Sequence, residues 1–442
     1  MSSPPAVSER AVIFLIGAVQ FVNILDFVMV MPLGPFFAEG LQIDSAHIGY
    51  VAGSYTAAAS VAGLVGGYFL DRFDRRKALA VSMLGLVLAT AAGGLASGLS
   101  TMVLARVMAG IFGGPATSLS LAIIADIIPA ERRGKAMGAV MGSFSVAQVV
   151  GLPLSLQAAN LAGWRAPFLG VAAMGVLVVL GAIFFLPPMR GHLEQGARPG
   201  HKVGTLELLG RRDVQLSYVM SAFVMMSGFV LIPNIPTHLV QNLGYPRHEL
   251  WVLYFVGGFV SFATLRLAGR WVDKYGSFRV GSIGVFGSVA MTYLGFVNYP
   301  QWLPIYALFM GFMMSMGLRN VAYNTLTSRV PENAVRARFL SLQSAISHMA
   351  SALGSAAIAP LMLTNLPDGR LGGVAEVAWV SIVLTLLVPL MLYIVERRVR
   401  SRVPSAQAVQ TAEAAAKAAV AQVPAPTPAG TAPLPSQSNS QR

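Results

Sequence analysis

Twelve runs of about 20 apolar residues, parted by short polar turns, leave this chain few ways to fold. Backbone N–H and C=O groups inside hydrocarbon must be satisfied within the segment itself, so each run crosses a bilayer as a helix. Spans are expected over residues 11–37, 47–70, 77–98, 101–127, 134–160 and 165–186. A second set is expected over 214–240, 248–272, 278–298, 302–328, 336–365 and 373–396. The fold class is therefore all-α, a polytopic membrane protein of twelve transmembrane helices. Composition agrees, since 55% of residues are hydrophobic, 11% are charged and mean hydropathy is +0.65, far too apolar for a soluble domain of this length. The first run continues past Asp26 without a small-residue cleavage site, so a retained span is expected rather than a signal peptide.

The longest interruption separates six spans from six. The expected organisation is a cytoplasmic N-terminus (residues 1–10), an N-terminal six-helix bundle (11–186), a Pro/Gly-rich cationic loop (187–213), a C-terminal bundle (214–396) and a tail (397–442). The tail mixes Pro, Ala, Thr and Ser and cannot bury a core, so disorder is expected apart from an Ala-rich patch from Glu413 to Ala421. Lys and Arg gather in alternate loops, at Arg72–Lys77, Arg132–Lys135, Arg270–Arg279 and Arg329–Arg338, while the opposite loops are nearly bare. That bias predicts an inner-membrane protein with both termini cytoplasmic. The net charge of +13 is distributed this way rather than over one face, so no nucleic-acid partner is expected.

The two halves echo each other. The loop Gly67-Tyr-Phe-Leu-Asp71-Arg72-Phe-Asp74-Arg75-Arg76-Lys77 returns as Gly269-Arg-Trp-Val-Asp273-Lys274-Tyr-Gly276, and Pro129 returns as Pro331 at the same offset. An internal repeat of half the chain is characteristic of transporter folds.

Two six-helix halves, the cationic central loop and the repeated Asp loop together resemble the major facilitator superfamily, whose loop signature is G-x-L-A-D-R-x-G-R-K. This chain has Asp74 where that signature has Gly. The resemblance implies a cytoplasmic gate built from Gly67, Asp71, Arg72, Arg75, Arg76, Asp126 and Arg132, with Gly269, Asp273, Lys274 and Gly276 as its counterpart. Asp71 would face the start of span eleven near Ala334–Arg338, and Arg75 would pair with Asp126. Anchoring of these cations at anionic lipid is the alternative. Span four, with Arg106, Gly110, Gly113 and Gly114, is similar to the proton-coupled pattern R-x-x-x-G. Gly138, Gly142, Gly151 and Pro153 in span five are similar to the antiporter motif of drug exporters, although the motif's Gly-Pro and Gly-Gly are replaced, and they imply close helix packing. Gly163-Trp164-Arg165 points to the same drug:proton antiporter branch.

Ionisable groups inside spans are functional candidates because burying them is costly. Counting about 1.5 Å per residue from the basic ends puts Asp26 and Arg106 at comparable depth in the outer half of the bilayer. Meeting across a cavity, they would form a proton-sensitive pair; snorkelling of Arg106 to the interface is the alternative. Arg319 and His348 fall near the midplane, where they could hold an anion or relay a proton. Asn23, Gln148, Asn234 and Asn324 are expected to complete a polar cavity, together with Asn320.

No phosphate loop, metal cluster or nucleophile elbow is present, so no cofactor, metal or enzymatic activity is expected, and an ion gradient must supply the energy. The expected function is proton-coupled efflux of small amphiphilic or drug-like compounds, with a small-molecule substrate, protons and membrane lipid as partners and a monomer as the working unit. A carrier of a defined sugar, amino acid or organic anion is the rival, and a non-transporting scaffold or sensor the rival of another class.

Overall fold

The computed structural model describes residues 8–187, 189, 205–332 and 335–402, and within these it leaves out the side chains of residues 67–69, 71, 130, 205–206, 337 and 402. Expected features of the tail beyond residue 402 and of most of the central loop lie outside the described residues. The chain to Glu396 is one compact unit, and the unit from Arg397 is described only as the end of the helix Val388–Arg402.

Twelve helices long and apolar enough to cross a membrane are found among the described residues. Spans one to six run Glu9–Met29, Ser45–Gly66, Arg75–Gly94, Leu99–Ile127, Glu131–Ala162 and Arg165–Phe185. Spans seven to twelve run Arg212–Asn242, Arg247–Tyr275, Ser277–Val297, Ile305–Ser328, Arg338–Met362 and Val374–Ser401. Span one stops short of the apolar run that predicts it. Pro32 and Pro35 lack the N–H that continues a helical ladder, and a separate short helix, Gly34–Gly40, follows. Part of the expected central loop is also helical, over Thr205–Gly210. A two-residue β-ladder pairs Thr364 with Gly372 and Asn365 with Leu371 in the turn before span twelve.

Span four packs on spans two, three and one, and span six on three and one; the second half packs span ten on eight and nine, and span seven on eleven and twelve. Between the bundles, span two lies on span eleven and span five on span eight. Adding six converts two to eight and five to eleven, so the interface exchanges equivalent spans, as the sequence repeat requires. Small residues permit these approaches. A Cβ on Gly53 of span two would stand 2.4 Å from the Ala356 methyl of span eleven, and one on Gly258 of span eight 2.8 Å from the Gln148 carbonyl of span five. Two of these contacts involve π-helical stretches, Ala147–Gly151 and Leu353–Ile358, where an extra residue per turn redirects the helix.

Candidate functional site

Spans one, three and four bring Asp26, Thr90 and Arg106 together inside the N-terminal bundle. Arg106 Nη1 donates to both Asp26 carboxylate oxygens at 3.0 Å, and Nη2 donates to the Asp26 carbonyl at 3.2 Å. The Thr90 hydroxyl donates to Asp26 Oδ1 at 2.7 Å. Asp26 and Arg106 are 0% and 1% exposed, so neither charge has access to solvent to replace its partner.

Tyr55 of span two completes the group. Its ring lies 4.8 Å beneath the Arg106 guanidinium, and its hydroxyl donates to Asn23 Oδ1 at 3.2 Å. Asn23 in turn donates to the Gly113 carbonyl at 3.0 Å and to Thr117 at 2.7 Å. Glycines in span four make room, since a Cβ on Gly113 would fall 2.4 Å from the Tyr55 hydroxyl and one on Gly110 2.3 Å from the Tyr55 carbonyl.

The expectation that Asp26 and Arg106 meet across a cavity is corrected. They meet within one bundle, and neither lines the central cavity. Phe27 forms the link, because it lines the cavity while stacking on Tyr55 with centroids 5.0 Å apart. It also stacks on Phe229 of span seven at 6.1 Å, which joins the two bundles.

The cavity itself measures about 620 Å³ and lies between the bundles, within the usual range for small-molecule sites. Its walls are chiefly apolar, including Phe27, Phe229, Phe309, Met313 and Met316, with Gln148, Asn320, Asn324, Arg319 and His348 among the polar groups. Asn23 and Asn234, expected here, lie elsewhere: Asn23 serves Tyr55 and span four, and Asn234 bonds back to the Val230 carbonyl at 3.4 Å. Arg319 is 3% exposed, with contacts to the Ser227 hydroxyl at 3.3 Å and Asn320 Oδ1 at 3.4 Å.

Away from the basic loops, polar ties join the bundles. Arg247 pairs with Glu39 and lies 5.0 Å over the Phe36 ring, Gln241 donates to the Ser45 hydroxyl at 2.9 Å, and Asn160 donates to the His248 carbonyl at 2.9 Å.

At the basic loops, Arg75 pairs with Asp126 at 2.5 Å and donates to the Ala122 carbonyl at 3.1 Å, while Arg76 donates to the Leu186 carbonyl at 3.1 Å. Asp74 caps span three, accepting from Arg76 N at 2.9 Å and Met189 N at 3.3 Å. Burial pushes its carboxyl pKa up, but the N–H groups of Met189, Arg76 and Lys77 and the Arg76 charge outweigh that and hold it below the ordinary value. Arg132 reaches Glu9 at 3.0 Å, and Asp273 pairs with Arg329 at 3.3 Å. Lys274 lies over the Tyr275 ring, Arg72 is exposed, and Gly269 lies within span eight. Gly276 takes φ 89° to turn span eight into span nine, a backbone that side chains rarely adopt. The helix of span two continues past Gly67 to Phe69, but the contact expected between Asp71 and the Ala334 region lies outside the described residues.

The expected packing glycines divide. Gly151 is buried against Leu25, and Pro153 beside it is buried. Gly138 and Gly142 are exposed, with nothing within 4 Å of a Cβ on Gly138. The buried face of that stretch is Ala136 and Val140, one helical turn apart, which leaves Gly138 on the opposite side.

Comparisons with known proteins join this geometry to a family. The Major Facilitator Superfamily profile matches residues 16–216 and 217–433, one match per half. A cis,cis-muconate transport protein of Acinetobacter baylyi is 23% identical over 59% of this chain and 66% of its own length. Multidrug resistance protein 2 of Bacillus subtilis is 25% identical over 65% of this chain and 75% of its own length. A chloramphenicol resistance protein of Streptomyces lividans is 24% identical over 56% of this chain and 65% of its own length, so two of these three matches span slightly under two thirds of the relative. Among solved structures, a bacterial homolog of the human lysosomal transporter Spinster superposes with TM-score 0.72 at 18% identity, covering 91% of this chain and 100% of that one. A D-xylose-proton symporter superposes with TM-score 0.67 at 20% identity, covering 87% and 96%. Two matched halves, twelve spans in exchange symmetry and a central cavity agree: the chain belongs to the Major Facilitator Superfamily and is a non-enzymatic transporter.

Proposed function

We propose that this transporter exports small amphiphilic compounds in exchange for protons, by alternating access of the central cavity to the two sides of the inner membrane. The two halves, 11–186 and 214–396, rock about the cavity, with loop 187–213 between them and both termini cytoplasmic. The resistance proteins among its relatives support export, and the apolar cavity supports an amphiphilic cargo.

The buried Asp26–Arg106 pair carries the coupling. Protonating Asp26 removes the counter-charge of a buried guanidinium, which is unfavourable enough to drive rearrangement of what Arg106 touches. Tyr55 is pinned beneath Arg106 and stacked on Phe27, so the rearrangement reaches the cavity wall and the Phe229 stack. Proton occupancy and cavity shape are thereby linked. Asp71 and the ion pairs of the basic loops serve as the cytoplasmic gate, and Asp71→Ala is expected to slow turnover at equal protein level.

Proteoliposomes tested with a panel of amphiphiles decide the matter. Efflux driven by an imposed proton gradient in wild type, and lost in Asp26→Asn with counterflow exchange retained, is expected. Gradient-driven efflux that persists in Asp26→Asn contradicts the coupling role.

A further inference from the structure

Two arginines are buried in these spans among the described residues, and they differ in one respect. Arg106 has a carboxylate partner; Arg319 has none among the described residues. Among the described residues its Nη1 and Nη2 make only long contacts to Ser227 and Asn320, and its Nε has no partner. A charge in a low-dielectric setting without a counterion is costly to maintain and persists where function requires it.

Arg319 borders the cavity, and no Asp or Glu lines it among the described residues. The ionisable groups on its wall are instead Arg319, His348 and Tyr254, so the potential inside is set by an uncompensated cation. Gly228 of span seven lies beside it, where even a Cβ would come only into ordinary contact with Nη2, at 3.6 Å. A planar guanidinium with free donors matches a carboxylate in two parallel hydrogen bonds. Beyond it, Met313, Met316 and Phe309 offer apolar, adaptable surface.

We infer that the cargo is an amphiphilic organic anion, its carboxylate bound by Arg319 and its apolar body held by the Met and aromatic wall. This rests on the cavity being the transport site, as proposed above, and adds the charge class of what enters it. Neutral and cationic amphiphiles of the same shape are disfavoured, because they leave Arg319 unpaired and the cationic ones add repulsion.

The test is calorimetric binding to the purified full chain near neutral pH, with cinnamate, its neutral amide and cinnamylamine as shape-matched probes. Wild type is expected to bind cinnamate about tenfold or more tighter than the amide, and cinnamylamine least. Arg319→Gln is expected to erase the preference for cinnamate over the amide without weakening the amide, while Arg319→Lys retains part of it. Asn320→Asp supplies Arg319 with an internal counter-charge and is expected to erase the preference with the arginine still in place. Equal affinities, preference for the amine, failure of wild type to bind cinnamate, or a preference that survives in both Arg319→Gln and Asn320→Asp would each overturn the inference. Proton release followed in the same titrations keeps the readings separate. A cationic cargo that releases protons through Asp26 leaves the coupling standing and removes the anion site. Arg319-dependent cinnamate binding that moves no protons does the reverse.

Discussion

Phe27 stacks on Tyr55 with ring centroids 5.0 Å apart, one residue along the chain from the buried carboxylate of Asp26. Tyr55 therefore touches both the Arg106 guanidinium and a cavity-lining ring. Tyr55→Phe keeps both ring contacts and loses only the hydrogen bond to Asn23, so transport is expected to continue. Tyr55→Ala loses a cation–π contact of about 0.5–2 kcal/mol and a ring pair of about 0.5–1.5 kcal/mol. Proteoliposome transport is expected to fall at least severalfold in Tyr55→Ala at equal reconstituted protein, with substrate binding preserved. A Tyr55→Ala variant transporting like wild type would remove the ring from the coupling route.

The glycines of spans four and five make opposite predictions. A side chain on Gly110 meets the Tyr55 backbone carbonyl, which cannot yield, so Gly110→Val is expected to cost about 1–3 kcal/mol. Gly138 faces open space within a helix, so Gly138→Ala is expected to stabilise by about 0.4–1 kcal/mol. Melting temperatures in detergent should move in opposite directions for the two variants.

Closure on the side away from the basic loops can be read without background labelling, because the chain contains no cysteine. Glu39→Cys combined with Arg247→Cys places thiols at the ion-paired positions that join the bundles. A bifunctional maleimide long enough to stand in for the two replaced side chains is expected to cross-link them in the substrate-free protein. Adding Gly53→Val inserts a side chain where Ala356 packs, at about 1–3 kcal/mol, and should slow cross-linking about 5- to 150-fold.

Asp74 sets a dependence on acid. Its folded pKa lies below the ordinary 3.8, so the stability it contributes is present above that value and is lost as pH falls through the lower, folded value. As the N-cap of span three it is worth about 1 kcal/mol near neutral pH. Asp74→Ala is expected to lower the melting temperature near neutral pH, with the gap to wild type closing in strong acid. A gap that is constant with pH would refute this.

The spans and their exchange symmetry were legible because apolar length and repeat offset fix them without detail. Depth was legible too: counting residues from the basic ends put Asp26 level with Arg106. What counting could not supply was rotation about the helix axis. Gln20, Asn23 and Asp26 recur every three residues on one face of span one, but the sequence does not say whether that face meets the cavity or its own bundle. Asn23 was misassigned to the cavity for the same reason. Tyr55 was missed, although a single bulky ring amid Ala, Gly and Ser in the middle of span two was a usable signal. Asp74, a departure from the family signature, became intelligible only once its oxygen was found capping span three.

Proton release during substrate titration of the purified protein tests the central claim most directly, with wild type beside Asp26→Asn. Compound-linked release from wild type that disappears in Asp26→Asn, while the compound still binds, is the predicted result. Equal release from both proteins, or binding to wild type with no proton movement, would contradict coupling through the Asp26–Arg106 pair.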